Sequence, residues 1–148
     1  MRIWHYELVR ALPDAQLVSQ WRELCAIAKR IELYGYPNHL LVNKVMDYSA
    51  QELINYADEV IEEMNYRHFR INIMTYNNFI HRLVNSENKF KNIKKSQCGQ
   101  YKGWHDSRYY WQCFYNLQEK HDCGGLTENE WNRIKRNKKF VMISNIFV

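Results

Sequence analysis

The segment from Met1 to Glu23 brings together groups that can carry out chemistry. Met1 supplies a free α-amine if it is the true first residue, Glu23 a carboxylate, and Arg2 and Arg22 guanidinium groups. An α-amine has an ordinary pKa of about 7.7–8.0, against about 10.4 for lysine, so a useful fraction is neutral and nucleophilic near pH 7. A nearby carboxylate can stabilise a developing cation and move protons. The competing interpretation is a solvated helix face where Arg22 and Glu23 form a local ion pair.

Glu23 lies in a segment that the sequence predicts to be a helix. Asp14 is a candidate N-cap, and we expect the helix to run to about Arg30 or Leu33 and to end at Gly35. The apolar residues that fall at helical spacing are Leu17, Val18, Trp21, Leu24, Cys25, Ile27 and Ala28.

Periodicity and capping residues predict further helices at about 50–66, 77–90, 107–122 and 127–134. Residues 38–48 are ambiguous and allow a short helix. Alternation over 69–74 predicts a short strand or an extended connector, and the apolar tail 140–148 an edge strand or a segment docked on the core. The lysine-rich segment 89–103 predicts a basic loop, which either contacts a nucleic-acid backbone or is simply solvated.

Length and composition limit the classes of protein. A chain of 148 residues is long enough for one domain with a real core, here residues 1–148. The net charge of +5 favours a polyanionic partner such as nucleic acid, and aromatic residues, 15% of the chain, suit stacking on bases. No apolar run approaches the roughly 18 residues that cross a bilayer. The four cysteines, Cys25, Cys98, Cys113 and Cys123, lack zinc-site spacing, so we expect reduced thiols and a cytoplasmic protein.

A resemblance runs through the N-terminal residues Arg2-Ile3, Leu8-Val9, Leu12-x-Asp14-x-Gln16-Leu17 and Arg22-Glu23-Leu24. These residues resemble the pyrimidine-dimer DNA glycosylase family of the endonuclease V type. They are more similar still to a cellular branch whose members begin Met-Arg-Leu/Ile-Trp-His. The resemblance continues at 38–39, 62–64, 112–120 and 122–125, and is absent from about 71–102.

The resemblance implies a fold and an activity. The fold is all-α, a single-domain bundle of about four to five helices with the N-terminal segment packed against them. The activity is that of a bifunctional glycosylase and AP lyase that forms a Schiff base and needs no metal or cofactor. The implied partner is double-stranded DNA with a damaged or abasic site, bound by a monomer. The alternative is a non-catalytic nucleic-acid-binding protein that keeps the fold.

Roles for individual residues also follow from the resemblance. Met1 and Glu23 match the catalytic amine and glutamate, and Arg2 and Arg22 match arginines that contact phosphate and lesion. The other candidates for DNA contact are Lys29, Arg30, His5 and His39. For His5, a packed structural position is the competing interpretation.

The chain also departs from the phage members of that family. Those members begin with Thr after removal of Met, whereas here the bulky Arg2 predicts that Met1 is retained and is itself the nucleophile. Gln16 and Ala26 stand where the phage enzymes have a histidine and an arginine, which weakens the electrostatic clamp on a dimer. Lys29 or Arg30 are candidates to compensate.

Overall fold

Five α-helices and three short 3₁₀ helices make up the computed structural model, which describes residues 1–94 and 100–146. The α-helices are α1 (Asp14–Tyr34), α2 (Ala50–Tyr66), α3 (Ile73–Asn85), α4 (Ser107–Asp122) and α5 (Glu128–Ile146). The 3₁₀ helices are Tyr6–Ala11, Asn43–Asp47 and Glu87–Lys89. The described residues contain no strand, so the predicted all-α fold is confirmed. Part of the predicted basic loop, residues 95–99, lies outside the described residues.

Helix α1 packs against the two helices that follow it in the chain. Its fully buried residues Leu17, Leu24, Ile27 and Ile31 lie at helical spacing, and the helix contacts both α2 and α3. Gly35 ends it with a φ of 88°, the left-handed conformation that glycine adopts without steric cost. The predicted course and end of this helix are therefore confirmed.

The predicted N-cap of α1 is wrong. The helix begins at Asp14 itself, and no side chain caps it at Pro13. The Asp14 carboxylate instead accepts a hydrogen bond from Arg67 Nη1 at 2.9 Å. Arg67 lies at the end of α2, far from Asp14 in the sequence. The residues around Asp14 therefore do not predict that Arg67 binds its carboxylate.

Three other caps agree with the sequence. Ser49 Oγ accepts from the Glu52 N–H at the start of α2, and Asp106 Oδ1 accepts from the Tyr109 N–H at the start of α4. At the start of α5, Thr127 and Glu130 each accept from the other's N–H, as in a capping box.

For the segment 69–74, the extended connector, one of the two predicted alternatives, is found over residues 69–72, whereas the tail does not form the predicted edge strand. The alternating residues 69–72 form an extended connector, and Asn72 Oδ1 then caps α3 by accepting from Met74 N–H and Thr75 N–H. The third helix therefore begins earlier than predicted and ends earlier too, at Asn85. The tail is helical to Ile146 because α5 continues through the predicted edge strand, and no strand in the described residues is available to pair with one.

The N-terminal 3₁₀ helix lies between α2, α4 and α5 and leads into α1. Its Leu8 and Val9 are buried in the core. Arg67 at the end of α2 holds this segment in place, donating from Nη1 to the Leu12 carbonyl at 2.7 Å and from Nη2 to the Arg10 carbonyl at 3.1 Å. The chain that precedes α1 is therefore held both by its buried side chains and by the hydrogen bonds from Arg67 to its backbone.

None of the described helices has the length and the apolar character that crossing a membrane requires. Cys25, Cys113 and Cys123 are free thiols, and Cys98 lies outside the described residues. Among the described residues, no cluster of three or more metal-binding side chains forms a metal site.

Candidate active site

One buried side chain, Gln20, fixes the N-terminal segment against α1. Its Oε1 accepts from the Trp4 N–H at 2.9 Å, and its Nε2 donates to the Arg2 carbonyl at 2.9 Å. Gln20 is fully buried, so the bond from the Trp4 N–H is protected from water, and the bond to the Arg2 carbonyl is partly protected. Because Glu23 lies three residues further along the helix, it shares the side of α1 against which the first residues are held.

Two tyrosines fix the carbonyl groups of the same segment. Tyr56 of α2 donates to the Trp4 carbonyl at 2.7 Å, and Tyr109 of α4 donates to the Ile3 carbonyl. Burial raises the pKa of both hydroxyls well above the ordinary value, so each remains a protonated donor. Three helices therefore determine where the chain's first residue lies.

Met1 and Glu23, the residues predicted to supply the amine and the carboxylate, line one cavity. Met1 and Glu23 are both half-buried on its wall, and the Arg2 N–H donates to Glu23 Oε2 at 3.3 Å. The volume is about 360 Å³, and we call this space the amine cavity. The other lining residues are Arg2, Trp4, Gln16, Ser19, Leu41, Asn116 and Lys120.

Helical spacing explains the polar walls of the amine cavity. Gln16, Ser19 and Glu23 fall on one side of α1, and Asn116 and Lys120, four residues apart, on one side of α4. Lys120 adds a cationic group to the amine cavity. Gln16 Oε1 is a buried acceptor without a hydrogen-bond partner in the structure.

The α4 residues of this wall were not among the predicted site residues. Asn116 and Lys120 lie in the block 112–120, which resembles the glycosylase family, but the resemblance implies no role for either residue. The signal available was their spacing of four on a helix whose neighbouring face is buried through Cys113, Phe114 and Leu117. That spacing predicts a polar helix face, but it does not say which part of the chain the face meets.

A second cavity, of about 390 Å³, adjoins the first, and we call it the side cavity. Arg2 and Leu41 line both cavities. The Arg2 guanidinium lies over the Trp4 ring, 5.2 Å from its centroid. The side cavity is otherwise lined by residues that include Lys44, Trp104, Asp106, Arg108 and Tyr109. Three cations and one carboxylate give it a positive balance.

The remaining basic candidates lie apart from the amine cavity. Arg22 is exposed and is not part of its wall, and no ion pair joins it to Glu23 among the described residues. Lys29 lines a separate cavity of about 270 Å³ between α1 and α3. Arg30 Nη1 donates to the Pro37 carbonyl at 3.3 Å and so holds the turn after α1.

His5 is buried and bonded internally, which favours the competing interpretation of a packed structural position. It is buried, its Nδ1 accepts from the Glu7 N–H at 3.1 Å, and its Nε2 donates to the His105 carbonyl at 3.0 Å. Burial lowers the pKa of His5 to about 4, although Asp106 opposes the change. A neutral, internally bonded ring does not reach a phosphate.

His39 does not line the amine cavity, but it holds the turn that carries Leu41, which does. Its backbone N–H donates to Asn43 Oδ1 at 3.0 Å, and its Nδ1 accepts from the Leu41 N–H at 3.4 Å. His39 therefore holds the turn that places Leu41 at the border of both cavities.

Acid is expected to destabilise the fold through two stacked histidines, whose ring centroids lie 5.1 Å apart. Burial lowers the pKa of His105 to about 2 and that of His5 to about 4, both below the ordinary 6.5. The unfolded chain therefore binds more protons, so the stability is complete above pH 6.5 and falls as the pH falls towards 4. By pH 5 His5 alone should cost roughly 2 kcal/mol of unfolding free energy.

Urea denaturation between pH 7 and pH 5 measures this loss. The change His5→Asn should flatten the pH dependence, whereas His81→Gln, at an exposed histidine, should leave it as it is. A free energy of unfolding that stays constant over this range in the unsubstituted protein would contradict the assignment.

Removing the Gln20 amide should loosen the N-terminal segment. The change Gln20→Ala leaves the buried Trp4 N–H without its partner, which costs about 1–3 kcal/mol, and the part-buried Arg2 carbonyl adds less because water can reach it. Urea denaturation measures the cost, and Gln51→Ala, at an exposed glutamine of α2, is the matched control. Equal stabilities of the two variants would show that Gln20 does not hold the segment.

Comparison with known protein families gives a match to the family model described as pyrimidine dimer DNA glycosylase, over residues 1–77. The matched range is more than half of the 148 residues. It contains the N-terminal segment, α1, α2 and the turn that carries Leu41, whereas α4 lies beyond it. No curated protein and no solved structure matches the chain.

Proposed function

The chain belongs to the pyrimidine dimer DNA glycosylase family, a family of DNA-repair glycosylases, and we propose that it also cuts the strand as an AP lyase, with the Met1 α-amine as nucleophile. The observation that carries this proposal is the amine cavity itself. Met1 and Glu23 line it together, and the Arg2 N–H bonds to the Glu23 carboxylate at 3.3 Å. An amine and a carboxylate on one wall are the groups that Schiff-base chemistry requires.

The glycosylase step replaces one bond to the sugar by another. The neutral Met1 amine forms a bond to C1′ of the damaged nucleotide, and the bond from C1′ to the base breaks. The departing base takes the electron pair and a proton, while the attacking nitrogen loses a proton. The C1′–O4′ bond then breaks and O4′ takes up a proton from solvent, which opens the sugar ring and gives an iminium ion that the Glu23 carboxylate stabilises by its charge.

The lyase step uses the acidity that the iminium confers on C2′. Glu23, or a water that it orients, removes a C2′ proton, and the electron pair expels the 3′ phosphate. Hydrolysis of the remaining Schiff base restores the Met1 amine. Water is consumed only in that last step, so the half-buried position of Glu23 suits the earlier ones.

The charge around the two cavities supports damaged double-stranded DNA as the partner. Arg2, Lys44, Arg108 and Lys120 line them, and the chain carries a net charge of +5. Such groups bind phosphate oxygens, and the affinity should fall steeply as salt concentration rises. The lesion we propose is a pyrimidine dimer, with an abasic site as the substrate of the lyase step.

Borohydride trapping tests this proposal. Reduction converts the Schiff base into a stable amine and so leaves the protein attached to the DNA. We expect adducts with an ultraviolet-irradiated duplex and with a duplex that contains an abasic site, and none with undamaged DNA. An adduct with the abasic duplex alone would restrict the protein to the lyase step.

Duplex binding without any adduct would overturn the chemistry and favour the second candidate, a non-catalytic DNA-binding protein with this fold. Gln16, which lines the amine cavity, and Ala26, which lines the separate cavity beside Lys29, stand where the phage members have a histidine and an arginine, and this loss of positive charge keeps this candidate in view. A gel shift run on the same two duplexes separates the outcomes.

A further inference from the structure

Two leucines lie exposed in the turn that follows α1. Leu40 is 91% exposed, the largest exposed fraction among the large hydrophobic residues in the described part of the chain, and Leu41 is 54% exposed. An exposed leucine contributes nothing to the hydrophobic core, so folding does not explain why Leu40 stands there. Leu33, on α1, is 58% exposed and so provides a matched leucine for comparison.

The turn that carries Leu40 and Leu41 is internally fixed. The His39 carbonyl accepts from the Val42 N–H and from the Asn43 N–H, both at 2.9 Å. In return the Asn43 side chain accepts from the His39 N–H at 3.0 Å, and Val42 is fully buried in the core. The two leucines are therefore presented by a rigid support, so little conformational freedom is lost when they become buried.

The leucines separate the two cavities. Leu41 lines both the amine cavity and the side cavity, and Leu40 lines the side cavity. Lys44 and Arg108 lie on the same side-cavity wall, and Arg2 belongs to both cavities. An apolar projection surrounded by cations is suited to a partner with a charged backbone and an apolar interior, and the DNA duplex with its base stack is such a partner.

We propose that Leu40, supported by Leu41, is a wedge that enters the base stack of duplex DNA beside the damaged nucleotide. This proposal rests on the proposed function. For the Met1 amine to reach C1′ in a duplex, the helix must be distorted or a nucleotide must leave the stack, and opening the stack leaves a gap. Leu40 fills that gap, while Lys44 and Arg108 hold the phosphates on either side.

The wedge fits DNA better than it fits a protein partner. Apolar protein-binding surfaces are contiguous patches of several hundred square ångströms, whereas Leu40 and Leu41 are flanked by basic side chains. Single apolar side chains that unstack a base step are, by contrast, a common device of DNA-bending proteins.

Fluorescence of 2-aminopurine tests the wedge without requiring any chemistry. The base is placed next to an uncleavable abasic-site analogue in a duplex, where its emission rises when it is unstacked. We expect saturating protein to raise the emission and Leu40→Ala to lose most of the rise. Leu40→Met should restore it, and Leu33→Ala, the matched exposed leucine, should behave like the unsubstituted protein.

Trapping on two forms of one substrate supplies the second readout. A single-stranded abasic oligonucleotide has no paired stack to open, so the wedge should matter only for the duplex. For Leu40→Ala we expect the ratio of duplex to single-strand trapping rates to fall by about tenfold or more, the scale set by burial of one leucine side chain. Leu33→Ala should keep the ratio of the unsubstituted protein.

The outcomes separate this proposal from the proposed function. If the unsubstituted protein traps abasic DNA but Leu40→Ala keeps both the fluorescence rise and the trapping ratio, the wedge is overturned and the lyase stands. If no adduct forms but the fluorescence rise depends on Leu40, the chemistry is overturned and the wedge stands. An unsubstituted protein that leaves the emission unchanged also overturns the wedge.

Discussion

Replacing Glu23 by Gln is expected to lower turnover on abasic duplex DNA by about a hundred- to ten-thousandfold, while the affinity for that duplex persists. The amide keeps the shape of the side chain and retains an oxygen that can accept the Arg2 N–H, which now bonds to Oε2 at 3.3 Å. What is lost is the negative charge that stabilises the iminium and the base that removes the C2′ proton.

Single-turnover strand cleavage and a filter-binding assay measure the two quantities for this variant. The change Glu32→Gln is the matched control, because Glu32 lies on the same helix and faces Arg82, not the amine cavity. A Glu23→Gln protein that cleaves at the rate of the control would remove Glu23 from its proposed role. Loss of both cleavage and binding would show that the change had disturbed more than the chemistry.

Adding one glycine before Met1 is expected to abolish the borohydride-trapped adduct. The nitrogen of Met1 then becomes an amide, which is not nucleophilic, and the new α-amine is displaced by about 3.8 Å of chain. The carbonyls of Arg2, Ile3 and Trp4 keep their partners on α1, α2 and α4, so the segment itself should stay in place.

Lys120 makes this experiment sharper, because it lines the amine cavity and also carries a primary amine. We expect Lys120→Arg to keep the adduct, since the arginine preserves the positive charge without a nucleophilic amine. The reverse pattern, an adduct in the glycine-extended protein and none in Lys120→Arg, would assign the Schiff base to Lys120. Addition of the same glycine after Val148 controls for the extra residue.

Short-range interactions account for most of what could be predicted from the sequence. The Ser49, Asp106 and Thr127 caps hydrogen-bond to backbone groups three residues away, and they lie where the sequence predicts them. The cap predicted at Asp14 is absent because of a long-range interaction. Arg67, 53 residues further along the chain, binds the Asp14 carboxylate instead. Local patterns predict an element well only when no distant partner intervenes.

The predicted site residues also fall into two groups, those that line the cavity and those that other contacts hold elsewhere. Residue types and the family resemblance pointed to Met1, Arg2 and Glu23, and these three line one cavity. The same reasoning also pointed to His5, which is buried and bonded internally, and to Arg30, which holds a turn. A side chain's chemistry indicates what it is able to bind, but its burial and neighbours decide whether it is available.

By itself, therefore, the sequence determined the course of α1, α2 and α4, three of the caps and the family to which the chain belongs. Only the tertiary structure decided how the first residue is held, through Gln20 on α1, Tyr56 on α2 and Tyr109 on α4, and that Lys120 faces it. The physical reason is separation along the chain. Helix signals arise between residues three or four positions apart, whereas the bond from Tyr109 to the Ile3 carbonyl joins residues 106 positions apart. Such a contact exists only once α1, α2 and α4 have packed around the N-terminal segment.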